Sequence, residues 1–338
     1  MSSQPAISIC IANYNGLAVI DDCIRSVLGQ QDAPEVEIIV HDDASTDGSG
    51  AYIRRTYPHV KYIGSPQNVG FCVANNRMVA QAGGEYILLL NNDAALLPDA
   101  LATLYRSART CGMHAILSLP QYDFESGALL DRGCRLDPFL NPVPNLDPSR
   151  KDVGMVLGAC LWIPKALWEE MGGFPEWFGS VGEDLYLCCR ARLAGYPVRV
   201  PARSGYLHRV GQSFGGGKVR GGRLVTTKRR RTLSERNKTF VLVICYPAPF
   251  MQLMLPLHLV LLLLEGLALS LLKPSSRCLR EIYLPVFGAL MQRGHEICMA
   301  RCNAMSGRRL AAGKFFSAID WVPYKLRMLL RHGLPRVR

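Results

Sequence analysis

Val36-Glu37-Ile38-Ile39-Val40-His41-Asp42-Asp43-Ala44-Ser45-Thr46-Asp47 is an apolar run that ends in an acidic turn, and its reading decides the fold. A second such run, Ile87-Leu88-Leu89-Leu90, ends in Asn91-Asn92-Asp93, and a further acidic pair follows in Gly182-Glu183-Asp184. Short apolar runs closed by turn-forming residues read as buried strands. A parallel sheet delivers whatever follows such strands to one edge, where open α/β sheets bind their ligands. Asp43, Asp93 and Asp184 gathered there outline a nucleotide-handling enzyme.

Working outward, Ile7-Ser8-Ile9-Cys10-Ile11 reads as the first strand, followed by a periodic helix over residues 17–28. The second strand covers 36–40 and leads through the acidic turn to a helix near 49–57. Residues 60–63 and 86–90 are further strands, with a helix over 69–82 between them. Such alternation is the signature of a doubly wound, mostly parallel sheet flanked by helices. Residues 121–151 lose the pattern in Pro-, Asp- and Gly-containing sequence and are expected to form a substrate loop. A strand over 158–163 and a short helix over 166–171, stopped by Gly172-Gly173, resume it. The chain has no internal repeat.

Charge divides the 338 residues. Residues 1–217 carry 17 Lys/Arg against 22 Asp/Glu, and residues 218–338 carry 22 against 5. This places a boundary near residue 217, with a basic, apolar helical region over 218–338. Nucleic acid and an anionic membrane surface are both candidate partners for that region, and its long apolar stretch favours the membrane. Residues 211–222 hold six glycines together with Lys218 and Arg220, and are expected to be mobile. Residues 240–272 are apolar enough for one span, yet Pro247, Pro249, Pro256, His258 and Glu265 interrupt them. Both flanks are basic, Lys228 to Arg231 before and Lys273, Arg277 and Arg280 after, which argues against a single crossing. A re-entrant hairpin or helices lying in the interface fit better, the alternative being a buried helical hairpin. Residues 315–330 mix Phe316, Trp321 and Tyr324 with Lys325 and Arg327, an amphipathic interfacial pattern.

Twelve cysteines are present without a C-x-x-C, and only Cys298 and Cys302 approach a zinc-ligand spacing. Cys10, Cys72 and Cys160 sit among apolar or small neighbours, where a free thiol behaves as a buried hydrophobe. Reduced thiols in a cytosolic setting are the expectation. The amino terminus agrees, since residues 1–5 carry no cation and the apolar run after them is short for a secretion signal.

The segments taken together resemble the family 2 inverting glycosyltransferases, in particular the rhamnosyltransferase-like branch. The resemblance rests on Ala12-Asn13-Tyr14-Asn15-Gly16 after the first strand, Asn68-Val69-Gly70-Phe71 with Asn75-Asn76, Gly158-Ala159-Cys160, Gly172-Gly173-Phe174 and Glu183-Asp184, in that order over residues 6–215. It implies a nucleotide-diphospho-sugar transferase fold of A type. It also implies that a nucleoside diphosphate sugar lies against Ala12, Tyr14, Asn15, Asp43, Asn68, Gly70, Phe71, Asn76, Asn92 and Gly158.

Each position also has a reading of its own. Asp43 can accept the imide N–H of a pyrimidine base, or it can be an ordinary turn and helix-cap residue. The family places its base-binding Asp here. Asp93 stands where the family has Asp-x-Asp, written in this chain Asn91-Asn92-Asp93, so one carboxylate is missing. A divalent cation, Mn2+ or Mg2+, is then expected to lean on a second ligand, and the family's His after the last core strand corresponds to His208. The bland reading of His208 is a hydrogen-bonded structural residue. For Asp184 the chemistry needed is a base that takes the acceptor hydroxyl proton as the diphosphate departs opposite. The family assigns that role to the second residue of the Glu183-Asp184 pair, with Glu183 supporting it; both can equally be plain amino-terminal helix charges. Gly158 and Gly172-Gly173 permit close backbone approach or simply make turns. Trp177 and Phe178 either stack on a sugar or pack in the core, and packing is the expectation.

The expected function is therefore an inverting sugar transfer from a dTDP-rhamnose-like or UDP-sugar donor to a lipid-linked or envelope polysaccharide acceptor. The expected setting is the cytoplasmic face of the plasma membrane, attached peripherally or by a re-entrant segment. No nucleic-acid partner is expected. The competing reading is a non-catalytic protein, built on an inactive transferase fold, that binds anionic surfaces or nucleic acid. It predicts basic and aromatic residues interleaved on one surface, whereas here the cations flank apolar runs.

Overall fold

The computed structural model describes residues 4–111, 114–211, 216–220, 223–272, 277–333 and 336–337. Lys273, residues 1–3, and residues 212–215 and 221–222 of the glycine-rich stretch lie outside the described residues. The chain divides into two compact units. The first comprises Met1–Cys134, Pro144–Ala191 and Tyr196–Arg209, and the second Arg135–Val143, Arg192–Gly195 and Val210–Arg338.

The chain begins in the first unit with β1 (Ile7–Asn13), α1 (Ile20–Leu28), β2 (Val36–Asp42), α2 (Ser49–Thr56), β3 (Lys61–Gly64), α3 (Phe71–Ala80), β4 (Tyr86–Asn91), β5 (Ala94–Leu96) and α4 (Ala100–Thr110). β6 (Ile116–Leu117), β7 (Gln121–Asp123) and β8 (Leu129–Asp131) follow, then the pair β9 (Cys134–Leu136) and β10 (Pro142–Pro144), most of whose residues belong to the second unit. The first unit resumes with β11 (Cys160–Pro164), α5 (Lys165–Met171), α6 (Glu183–Leu193, whose last two residues belong to the second unit), β12 (Val198–Arg199) and β13 (Tyr206–His208). The main sheet has the order β12-β6-β11-β4-β1-β2-β3. β1 lies parallel between β2 and β4, with Ile7 opposite Val36 on one side and Tyr86 on the other. β11 enters antiparallel, Trp162 facing Leu88, so the sheet is mixed but mostly parallel.

Central strands read as unbroken apolar runs because both of their faces are covered. Ile9 and Ile11 of β1, Val40 of β2 and Leu88 and Leu90 of β4 pack with Ile20, Ile24 and Val27 of α1 and Leu101 and Leu104 of α4. Each such side chain contributes about 1.5–3 kcal/mol by leaving water. A smaller sheet, β5-β13-β7-β8, stands beside the main one and carries His208 at the end of β13.

Three sequence expectations need correction. Helix α1 begins at Ile20 and not at 17, because the Leu17 N–H is held by the Asp47 carboxylate in a turn. Helix α3 begins at Phe71, because Gly70 before it has φ +87° and ψ 163°, an extended left-handed entry that breaks the helix. The expected loop over 121–151 instead contains β7, β8, β9 and β10, each only three residues long and so too short for a period-two pattern to register.

The second unit also holds a three-stranded sheet, β14 (Gly216–Arg220), β15 (Arg223–Thr226) and β16 (Arg336–Val337), and the helices α7 (Lys228–Cys245), α8 (Phe250–Leu272), α9 (Leu284–Gln292), α10 (Gly294–Ser306), α11 (Ala312–Phe316) and α12 (Tyr324–His332). The apolar stretch 240–272 is thus divided, with Tyr246 to Pro249 between two helices. Of the described helices, α8 is long and apolar enough to cross a membrane, by length and composition alone. The amphipathic stretch 315–330 is divided too: Phe315 and Phe316 are buried, while Trp321, Leu326 and Leu330 are exposed.

Candidate active site

The carboxyl ends of β1, β2 and β4 meet at Asn13. Its amide nitrogen donates to Asp42 Oδ1 at 2.8 Å and to Ser49 Oγ at 2.9 Å, and its amide oxygen accepts from Asn92 Nδ2 at 2.9 Å. Every polar atom of this buried amide is used, as burial demands. Gly16 fits in the following turn because any Cβ there would collide with both Asn13 and Asn92. Asn15, in the left-handed region at φ +49°, accepts from Thr46 N with its side chain and donates its own N–H to Ser45 Oγ. The turns after β1 and β2 are therefore laced together, and Tyr14 stands exposed at their rim. Ala12 lies in register with His41 and Asn91 across the sheet. His41 is fully buried, and burial lowers its pKa.

Asp43 is buried, and its two carboxylate oxygens accept from Val69 N at 2.6 Å and Gly70 N at 2.9 Å. Asn68 donates to the Asp43 carbonyl at 3.4 Å. The glycine conformation at residue 70 is what turns two successive N–H groups toward one carboxylate. Each oxygen retains a lone pair for another donor. Phe71 follows at the start of α3, its ring stacked 6.2 Å from Phe174.

Asp93 and His208 come together from the β4–β5 turn and β13. The imidazole Nε2 lies 3.2 Å from Asp93 Oδ1, and both residues are buried. Among the described residues His208 Nδ1 has no hydrogen-bond partner, and neither has Asn91 Oδ1, although both atoms are buried. A carboxylate oxygen and an imidazole nitrogen are donors that suit a divalent cation such as Mn2+. Among the described residues no group of three or more His, Cys, Asp or Glu side chains forms a metal cage. Next to His208, the Arg209 guanidinium lies over the Phe124 ring and is tied to Asp22 at 2.5 Å.

Asp184 opens α6 beside Glu183, which is buried. Its Oδ2 accepts from Gly158 N at 3.0 Å and its Oδ1 from Leu185 N at 2.7 Å. A Cβ on Gly158 would touch both Asp184 and Phe71, so these three positions are neighbours. The next residue, Ala159, accepts from Asn91 N at 3.0 Å, which joins the Asp184 side to the end of β4. Asn76 is occupied elsewhere: its amide bonds the Phe174 backbone in both directions, at 3.1 and 2.9 Å, bracing the Gly172-Gly173 turn. Phe178 is fully buried, as core packing expects, while Trp177 is half-buried and stands edge-on against it.

Asp43, Asn68, Gly70, Phe71, Gly158 and Asp184 thus form one connected set, and Ala12, Asn15, Asn92, Asp93 and His208 a second along the same strand ends. Sequence reasoning quoted Asn13 and Asp42 without giving either a role, yet they organise that edge. The signal was an Asn two residues past the run Ile7–Ile11 and ahead of the turn at Gly16.

The sequence pattern described as "Glycosyl transferase family 2" matches residues 8–133, and that of "Glycosyl transferase family group 2" matches residues 86–291. An uncharacterized protein of Mycobacterium tuberculosis is 36% identical over 105 residues, covering 31% of this chain and 33% of the relative. The N-acetylglucosaminyl-diphospho-decaprenol L-rhamnosyltransferase of the same organism is 25% identical over 224 residues, covering 53% of this chain and 68% of the enzyme. The chain thus spans from a third to about two-thirds of the length of these relatives. Among solved structures, S. aureus TarS residues 1–349 in complex with UDP superposes with a TM-score of 0.53 at 14% identity, covering 89% of this chain and 88% of that one. The mannosyltransferase PcManGT from Pyrobaculum calidifontis, in complex with GDP-Man and Mn2+, superposes with a TM-score of 0.50 at 20% identity, covering 87% and 88%. These likenesses show the fold.

Proposed function

Because the chain belongs to the family 2 glycosyltransferases, we propose that it transfers a sugar, with inversion, from a nucleoside diphosphate sugar to a lipid-linked or envelope glycan acceptor. The observation that carries this reading is the run of hydrogen bonds from Asp184 through Gly158 and Ala159 to Asn91, which ties a carboxylate at a helix start to the strand ends that hold Asp43 and Asp93.

Asp43, fixed by two backbone amides, receives the base through an imide N–H. Asn68, Gly70 and Phe71 border that subsite. Asp93 and His208 are the residues that would hold a divalent cation, which offsets charge on the departing diphosphate when bound. Asp184 takes the proton of the acceptor hydroxyl. The bonds it accepts from the Gly158 and Leu185 N–H groups fix the carboxylate in place, so little motion is needed at the moment of transfer. Glu183 orients the acceptor. Gly158, lacking a side chain, lets its backbone lie close to the donor sugar beside Phe71 and Asp184. Similarity to the mycobacterial rhamnosyltransferase supports a dTDP-linked deoxysugar ahead of a UDP-sugar.

The test is Asp184→Asn. Turnover should fall by roughly three orders of magnitude or more, while calorimetric titration with dTDP or UDP in the presence of Mn2+ should give an unchanged affinity. Turnover near that of the wild type would remove Asp184 from the base role. Loss of nucleotide binding in Asp93→Ala and its retention in Asp184→Asn would separate the donor subsite from the base.

A further inference from the structure

The second unit carries an apolar surface that its own charges orient. Along α8 the buried positions are His258, Leu262, Gly266 and Leu269, spaced four, four and three residues apart on one stripe. The opposite stripe, Leu253, Leu257, Val260, Leu264, Leu267 and Leu271, is between 47% and 84% exposed. The sole charge on α8, Glu265, is directed to the protein side, where it pairs with Arg231 of α7 and with Lys325 of α12 at 2.7 Å. His258 is likewise engaged, 2.8 Å from Thr239 Oγ1 of α7. A helix crossing a bilayer would carry this ionic cluster into hydrocarbon, at a cost of several kcal/mol. A helix lying in the interface keeps the cluster within the protein and gives the leucine stripe to lipid.

Two further observations identify the occupant of that stripe. All five carboxylates of residues 218–338 (Glu235, Glu265, Glu281, Glu296 and Asp320) are engaged in ion pairs with Lys or Arg. Arg277, Arg280, Arg308, Lys314 and Arg331 are exposed in addition, so the unit presents a cationic surface. At the start of α8, Phe250 packs 4.6 Å from Phe316, which in turn neighbours the exposed Trp321 at 6.3 Å. An exposed indole beside an apolar face is the residue type that settles at the headgroup level.

We propose that the outer stripe of α8, with Trp321 beside its first turn, is a docking face for the surface of an anionic lipid bilayer, and that α8 lies in the plane of that surface without crossing it. The inference stands on the second unit alone and is independent of the catalytic reading.

Flotation of the full chain with preformed vesicles tests it. The protein should float with phosphatidylcholine vesicles containing phosphatidylglycerol, and should fail to float with phosphatidylcholine alone. Charging the exposed stripe through the pair Leu264→Glu and Leu267→Glu should weaken binding by about tenfold or more, with circular dichroism unchanged. Cys298 and Cys302 are the exposed thiols of the chain and follow α8 in sequence, so they report its topology. After docking they should react with a membrane-impermeant maleimide added outside, read by mass spectrometry. Absence of flotation, indifference to anionic lipid, or a self-associated species that ignores vesicles would overturn the proposal. Protection of both thiols in the bound protein would overturn it as well, by showing that α8 crosses.

Discussion

Gly16 and Asp131 show how single positions set what the first unit tolerates. At Gly16 the space a Cβ would need is taken by the Asn13–Asn92 hydrogen bond, so Gly16→Ala must part that pair. The variant is expected to lose nucleotide affinity by at least about tenfold, since an unmade buried hydrogen bond costs about 1–3 kcal/mol. Calorimetry with the preferred nucleotide measures it, and wild-type affinity would show that the Asn13 hub does not shape the donor subsite. Asp131, buried in β8, has its carboxyl raised from 3.8 to about 6, chiefly by burial, against the opposing Gly133 N–H and the influence of His208. The folded chain therefore holds this proton more tightly than the unfolded one. The resulting stability is complete below 3.8 and is lost as pH rises through about 6. Asp131→Asn keeps an oxygen for Gly133 and removes the titration. It should exceed the wild type by about 3 kcal/mol at pH 8, two pKa units of free energy, and match it near pH 4 in urea unfolding.

Among the elements, α7 best separates what a sequence states from what a fold uses. Lys228 to Lys238 looks like a solvated charge run, yet Arg231, Glu235 and Lys238 are buried and continue into Leu242 and Cys245 on one helical stripe. Burial alone would raise the Glu235 carboxyl, but Lys238, Lys325 and Arg231 hold it well below the usual carboxylate range. A depressed value means that the contribution is present above about 4.5 and lost only as pH falls through the folded value. Glu235→Gln leaves Lys238, itself buried, without its carboxylate. This should cost about 3–5 kcal/mol in denaturant unfolding at neutral pH, and the difference from wild type should shrink on strong acidification. The double variant Glu235→Met with Lys238→Met should be less damaging than the single one. The i, i+4, i+7 spacing of these charges was visible in the sequence, but a charged stripe signals burial only once its partners on α12 are known. β1, β2 and β4 were legible for the opposite reason: Ile, Val and Leu need no partner to announce a buried strand. The three-residue strands β7 to β10 gave no such signal, and Asn13 at the end of β1 looked like any turn asparagine.

Over the whole molecule, charge is divided unevenly on either side of residue 217, and the order of short motifs led to the family to which the chain belongs. The pairing of Asp93 with His208 followed from that order, as the residues are far apart in sequence and meet only because β13 lies beside β5. What composition could not reveal was direction: which side of α8 faces protein, and where Glu265 points.

Asn13 has one more consequence, for the order in which the chain assembles during synthesis. Its amide joins Asp42, 29 residues later, and Asn92, 79 residues later. β1, between β2 and β4 in the sheet, is translated before both but acquires its second neighbour only after β4 has left the ribosome. Parallel pairings of such separation are slow to close, because loop entropy is lost before the contacts form. The emerging chain therefore holds Ile7 to Ile11 with one edge open, and the Asn13–Asn92 link is completed only after β4 has been made.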